Sequence, residues 1–212
     1  MTTILHIDPK HPADGDIDQA VAFLKAGQVL AYPTETIYGL GADVLNRKAV
    51  KRIYELKARD VGLPISILVA DLAMLREFVA EVSDAALSLI RRFWPGPLTI
   101  LFPAAPKIPK ELITNTSKIG IRISSHPIAA ALVSRFGGPI TTTSANLSGY
   151  PPSLTAKHIT KYFGEKLSCI IDGGVCEPSK GSTVVDLSEE SMRIVREGEI
   201  SADEIIKCFQ EK

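Results

Sequence analysis

A chain of 212 residues with 45% hydrophobic and 23% charged side chains has an ordinary globular composition, long enough to bury a large core in one domain. Its 24 basic and 24 acidic residues cancel to a formal net charge of zero, which argues against binding nucleic acid or anionic membrane through bulk charge, though not against local basic patches. Cys169, Cys176 and Cys208 are odd in number and form no C-x-x-C pair, no apolar run approaches a membrane span, and no basic-then-apolar leader opens the chain. Those features argue against a disulfide framework or a membrane anchor, and a cytoplasmic protein is expected.

In chain order, the periodicity predicts a strand at "ILHI" (4–7) and a helix at "DIDQAVAFLKAG" (16–27) closed by Gly27. A buried strand at "QVLAYP" (28–33) and a helix at "NRKAVKRIYELKAR" (46–59), N-capped by Asn46, follow. "ISILVA" (65–70) reads as a strand, 71–79 and 83–93 as helices, the second stopped at "WPGP", and "LTILFP" (98–103) and "IGIRIS" (119–124) as strands. "PIAAALVSRF" (127–136) reads as a helix with Pro at its first position. "PITTTSA" (139–145), "CIID" (169–172), "STVVDL" (182–187) and "RIVREG" (193–198) are predicted strands, with a helix near 155–163 among them; "SADEIIKCFQ" (201–210) is a last helix capped by Ser201. Strands and helices interleave, yet some strands follow one another directly. The expected fold is α/β, a twisted mixed sheet flanked by helices, as one domain over residues 1–212.

"YPTETIYGLGADV" (32–44) carries Gly39 and Gly41 where a phosphate loop could lie. The dinucleotide fingerprint needs a third Gly or Ala where Val44 stands, and "SKGST" (179–183) puts Lys180 before Gly181, the wrong order for a Walker loop. His6, His11, His126 and His158 are scattered without metal-ligand spacing, and no Ser lies in a G-x-S-x-G elbow. What remains is polar residues at strand ends: Thr34, Thr36, Ser144, Asn146, Ser182 and Arg196. Ligands of α/β domains are gripped at strand ends, although each of these residues taken singly also serves as a turn former.

Two cations stand out further. Lys57 continues the stripe of Val50, Ile53 and Tyr54 on its helix, with Arg59 just beyond; a cation there also suits the helix dipole. Arg122 faces away from Ile119, Ile121 and Ile123, on the side of Gly120 and Ser124, where small neighbours leave room for a ligand or for solvent. Lys57, Arg59, Arg122 and Arg196 together would suit a polyphosphate plus a carboxylate.

The phrases "AYPTETIYGLGAD", "KAR" (57–59), "WPGPLT", "IGIRISSHPIA", "TTSANLSG", "IIDGG", "STVVDL" and "VREG" run in one order over almost the whole chain. In them the chain resembles the L-threonylcarbamoyl-AMP synthases, the YrdC-like fold. The resemblance implies a nucleotidyltransferase that condenses L-threonine, bicarbonate and ATP into threonylcarbamoyl-AMP and pyrophosphate. That is the first step of tRNA threonylcarbamoyladenosine formation, completed by separate transferase proteins. It implies threonine contacts from Thr34, Arg122, Thr142 and Ser182, with Arg122 on the carboxylate. It implies nucleotide contacts from Lys57, Arg59, Ser144, Asn146, Ser153 and Arg196, with Lys57 and Arg59 catalytic. Mg²⁺ is expected with ATP, without protein side chains as ligands, and "PTETIYGLG" becomes a pocket wall whose glycines allow close backbone approach. Leu68 stands where some longer relatives carry a His, and their second domain is not expected within these 212 residues.

The implied mechanism needs no covalent nucleophile. Threonine's amine forms a carbamate, an enclosed pocket protects it, and Lys57, Arg59 and Mg²⁺ stabilise charge as pyrophosphate departs. Two other classes stay open: an RNA-binding module whose basic residues line a concave face, and a hydrolase of carbamoyl adenylates.

Overall fold

The computed structural model describes residues 1–60, 63–113, 116–189 and 191–210. The first half comprises β1 (Thr3–His6), α1 (Asp14–Lys25), β2 (Leu30–Tyr32), β3 (Gly39–Gly41), α2 (Arg47–Lys57), β4 (Ile67–Leu68), α3 (Leu72–Phe78), α4 (Asp84–Phe93) and β5 (Leu98–Pro103). The second comprises α5 (Lys110–Ile113), β6 (Lys118–Arg122), α6 (Pro127–Phe136), β7 (Ile140–Thr141), β8 (Thr143–Ser144), α7 (Ala156–Phe163), β9 (Cys169–Asp172), β10 (Thr183–Asp186), β11 (Arg193–Arg196) and α8 (Ala202–Gln210). The α/β class and the mixed pairing agree with the sequence pattern. The strands, however, divide between two sheets, of order β1-β9-β2-β3-β8 and β11-β10-β5-β6-β4-β7.

The division passes through "PITTTSA", which was expected to be one strand. Ile140–Thr141 pairs with β4, Thr143–Ser144 pairs with β3, and Thr142 between them donates its backbone N–H to Ser66 O at 2.7 Å. In the six-stranded sheet a period of two separates the faces. Leu98, Ile100 and Phe102, Ile119 and Ile121, and Val185 point into a core shared with Ala86, Leu89 and Ile90 of α4 and Ile205 of α8. Thr99, Leu101, Gly120, Arg122, Ser182 and Val184 alternate with them and line a cavity. A second core packs Ile17, Val21 and Leu24 of α1 against Ile128, Leu132 and Val133 of α6.

Helix starts follow local chemistry. Asn46 Oδ1 accepts from the N–H groups of Lys48 and Ala49. Ser201 and Glu204 form a reciprocal capping box at α8. Among the described residues no helix is long and apolar enough to cross a membrane.

No strand is predicted at β3, and glycine is a poor strand former. The strand forms because the Tyr32 ring covers it from the antiparallel neighbour β2, while Tyr32 Oη donates to Thr141 O at 3.0 Å. A Cβ on Gly41 would lie 2.9 Å from Tyr32 Cε1, and one on Gly39 would lie 3.4 Å from Tyr32 Cζ. The close approach these glycines permit is thus that of a ring. Gly41→Ala should cost about 1–3 kcal/mol in urea unfolding through overpacking, and Gly39→Ala less than about half of that. Equal losses would show that the Tyr32 ring does not set the constraint.

Candidate active site

Both sheets contribute to a cavity of about 690 Å³. One wall is the polar face of β5, β6 and β10; the other is the 34–39 segment, Arg59 and the 142–146 segment. Of the residues singled out in the sequence, the structure brings Thr34, Arg59, Arg122, Thr142, Ser144, Asn146, Ser182 and Arg196 to this cavity. Among the described residues its charged lining is Arg59, Lys118, Arg122, Lys180, Arg193 and Arg196 against the carboxylate of Asp186. A chain of zero net charge has therefore concentrated cations around one space, which favours an anionic ligand.

Arg122 is almost wholly buried, its side chain 5% exposed. Nη1 donates to Glu35 Oε1 at 2.9 Å and to the Thr36 hydroxyl at 3.4 Å, while Nε is buried without a hydrogen-bond partner among the described residues. The Thr34 hydroxyl lies 3.0 Å from that of Thr36 and donates to Ile37 O at 2.6 Å, so it is occupied in shaping its own turn. Across the cavity the Ser182 hydroxyl lies 2.9 Å from that of Thr99 and accepts from Arg196 Nη2 at 3.2 Å; Arg196 also donates to Ser182 O. Burial, and next the charge of Arg122, lower the Arg196 pKa, so the two guanidinium groups repel across the site.

Three positions named from the sequence lie outside the cavity lining. Lys57, assigned to catalysis, stands behind the wall, 1% exposed, and Nζ donates to Ser144 O, to Asn146 O at 2.8 Å and to Asn146 Oδ1 at 3.2 Å. All three donors of an ammonium are thereby used, so it holds the 144–146 segment in place. Burial first, then Arg59, pushes its pKa down to about 7, and the three acceptors offset that by favouring the charged form. Ser153, assigned to the nucleotide, is fully buried away from the cavity: its hydroxyl donates to Ala145 O and its carbonyl accepts from Tyr38 N. Leu68 belongs to the core between α1 and α6, so that position does not face the site.

Arg59 and Lys57 diverge because Ala58 between them adopts a left-handed conformation, φ 47° and ψ 47°, as the cap of α2. Arg59 Nη2 donates to Pro64 O, and its buried Nε has no partner among the described residues. Two residues that matter were not singled out in the sequence. Glu35 pairs with Arg122. Tyr38, fully buried, donates to Gly174 O, accepts from Gly173 N and receives Ala145 N on its carbonyl, so it ties "PTETIYGLG" to "IIDGG" and "TTSAN". The only available signal was a large polar aromatic inside an otherwise turn-like phrase.

Asp186 is committed to protein partners. Oδ1 accepts from Ser188, Oδ2 from Lys118 at 3.0 Å and from Arg193 at 3.3 Å, which leaves little capacity for a cation. Burial by itself raises this carboxyl, but the Ser188 hydroxyl and the Lys118 ammonium outweigh it and hold it at about 2.

A cation-lined cavity with hydroxyl and amide groups at its strand ends, in an α/β fold, suits an anionic, hydrogen-bonding small molecule. The model of the Sua5/YciO/YrdC domain, described as telomere recombination, matches residues 22–198. The chain belongs to the Sua5/YciO/YrdC family. It is 38% identical over 192 residues to a threonylcarbamoyl-AMP synthase of Pyrococcus abyssi, covering 91% of this chain and 56% of that one. It is 35% identical over 202 residues to a putative threonylcarbamoyl-AMP synthase of Mycobacterium tuberculosis, covering 95% and 92%. The chain thus spans little more than half the length of the Pyrococcus relative and nearly all of the mycobacterial one. Among solved structures, P. abyssi Sua5 complexed with L-threonine superposes with a TM-score of 0.94 at 36% identity, over 98% of this chain and 61% of that one. Escherichia coli YciO gives 0.89 at 28% identity, over 97% and 100%.

Two outcomes follow from this geometry. Lys57→Ala should lower unfolding stability by about 3 kcal/mol, since it orphans buried acceptors, whereas Arg59→Ala should cost less than about 1 kcal/mol while weakening an anionic ligand. Matched stability losses would put Arg59 in the scaffold too. The Asp186 carboxyl is held below its ordinary 3.8, so it stabilises the folded state above about pH 4, and that stability is lost as pH falls towards 2. Asp186→Asn should flatten this part of the stability–pH curve by about 2 kcal/mol, and an unaltered curve would exclude the role.

Proposed function

We propose that the chain synthesises L-threonylcarbamoyl-AMP from L-threonine, bicarbonate and ATP, releasing pyrophosphate, with residues 1–212 acting as one catalytic domain. The observation that carries this reading is a cavity lined, among the described residues, by six basic side chains and one acidic one, where the Nε of buried Arg122 has no partner among those residues. The names of its relatives and the threonine complex of P. abyssi Sua5 support the choice of substrates.

Arg122 takes the threonine carboxylate, with Thr142 and Ser182 beside it. Arg59, Arg196, Ser144 and Asn146 face the nucleotide phosphates, and Lys57 acts through the wall it holds. Thr34 shapes the turn that carries Glu35 and Thr36. The threonine amine takes up carbon dioxide supplied by bicarbonate and releases a proton, and the carbamate oxygen displaces pyrophosphate from the α-phosphorus. The walls exclude water that would destroy the carbamate, and fixed guanidinium groups offset charge on the departing pyrophosphate. Mg²⁺ would come with ATP and would supply positive charge at the phosphates; Asp186, bonded to Lys118, Ser188 and Arg193, would not be the residue that holds it. The product passes to transferase proteins that modify tRNA, and RNA itself is a further partner class for the basic residues.

Incubating the protein with ATP, Mg²⁺, bicarbonate and each amino acid in turn, with the adenylate detected by mass, should give product with threonine. RNA affinity that falls steeply with salt, without ATP turnover, would replace this reading with an RNA-binding module. Breakdown of added adenylate without pyrophosphate–ATP exchange would replace it with a hydrolase. Arg122→Lys keeps the charge but loses the planar fork, so threonine should bind weaker by about 1.5–3 kcal/mol in calorimetry while ATP changes by less than about 0.5. Equal losses for both ligands would move Arg122 to the nucleotide.

A further inference from the structure

We infer that Glu35 is a positioning residue for amino-acid recognition: it holds Arg122 by Nη1 and so keeps the Nε edge of the guanidinium free for a ligand carboxylate. This inference rests on the reading of Arg122 as the carboxylate partner.

A buried guanidinium has five donors to satisfy. The protein partners of Arg122 gather on one nitrogen, Nη1, which meets Glu35 Oε1 at 2.9 Å and the Thr36 hydroxyl at 3.4 Å. Nε, equally buried, has no partner among the described residues. Since the group is planar, fixing Nη1 fixes the opposite edge, where Nε and Nη2 form a fork that matches a carboxylate. Glu35 is itself held in place. Its Oε2 accepts from the Ser124 hydroxyl, and Ser124 Oγ accepts from the N–H of His126, the residue that caps α6. A line of hydrogen bonds therefore runs from the start of α6 through Ser124 and Glu35 to Arg122. Glu35 stands behind the cavity wall, its side chain 15% exposed, whereas Arg122 and Thr36 line the cavity.

A residue that only neutralised Arg122 would act through its charge; one that positions it acts through the placement of its oxygens. Glu35→Gln removes the charge and keeps an acceptor for Nη1, while Glu35→Ala removes both. Calorimetry with threonine and, separately, with ATP distinguishes the two roles. Glu35→Ala should raise the threonine Kd at least about tenfold and leave the ATP Kd within about twofold, and Glu35→Gln should stay within about threefold of wild type for both. Unchanged threonine affinity in Glu35→Ala, or an equal loss in Glu35→Gln, overturns the inference. If Glu35→Ala does not fold, Ser124→Ala carries the test: it keeps the ion pair but frees the carboxylate, and should weaken threonine at least about threefold with ATP unaffected. Unchanged threonine binding there also overturns it. A wild-type chain that binds ATP and no threonine instead overturns the amino-acid reading of the cavity.

Discussion

The amino group of Lys57 lies where water does not reach, its pKa pushed down to about 7, and a protein tolerates the charged form there only when hydrogen-bond acceptors surround it. Here they come from one short stretch, the carbonyls of Ser144 and Asn146 and the Asn146 side chain. Because an ammonium has three donors and each finds an acceptor, the stretch cannot shift without leaving a charge uncompensated. Helix α2, ending at Lys57, is thereby bound to the edge of the five-stranded sheet, where β8 pairs with β3. The 144–146 part of the cavity wall is held by this contact.

The opposite wall depends on a simpler rule. A strand shows alternate residues to alternate faces, and one face of the six-stranded sheet is filled by aliphatic side chains against α4 and α8. The other face is then free to carry Thr99, Gly120, Arg122 and Ser182. Gly120 is part of this economy of space, since a Cβ there would lie 2.6 Å from Ser66 Oγ. Charge is distributed on the same plan. Among the described residues of this neutral chain, six cations line the cavity, two of them, Arg122 and Arg196, close enough to repel. An anion bound between them would relieve that repulsion.

Much of the secondary structure was legible because its causes are local. Asn46 two and three residues before the N–H groups it accepts, Pro127 at the first position of α6, and Ser201 with Glu204 at α8 are contacts within a single turn. The side on which Arg122 lies and the inward stripe of Lys57 also followed from strand and helix periods. β3 was not legible, because the Tyr32 ring that makes a strand of "GLG" lies on another strand and only appears once the two pair. The split of "PITTTSA" was hidden for the same reason: its two halves pair with β4 and β3, each distant in the chain.

By itself, then, the sequence determined the helices apart from the short α5, which strand faces are apolar, the α/β class, and, through whole phrases, the family and several of the polar residues that meet at the cavity. Only the tertiary structure decided what those residues do there. The donors of Lys57 are consumed by acceptors 87 and 89 residues away, Ser153 turns its hydroxyl to Ala145, and Glu35 finds its arginine 87 residues later. A residue type and its spacing specify which hydrogen bonds a side chain could make. Which of them are made depends on the groups that folding brings within about 3 Å, and no local pattern records those.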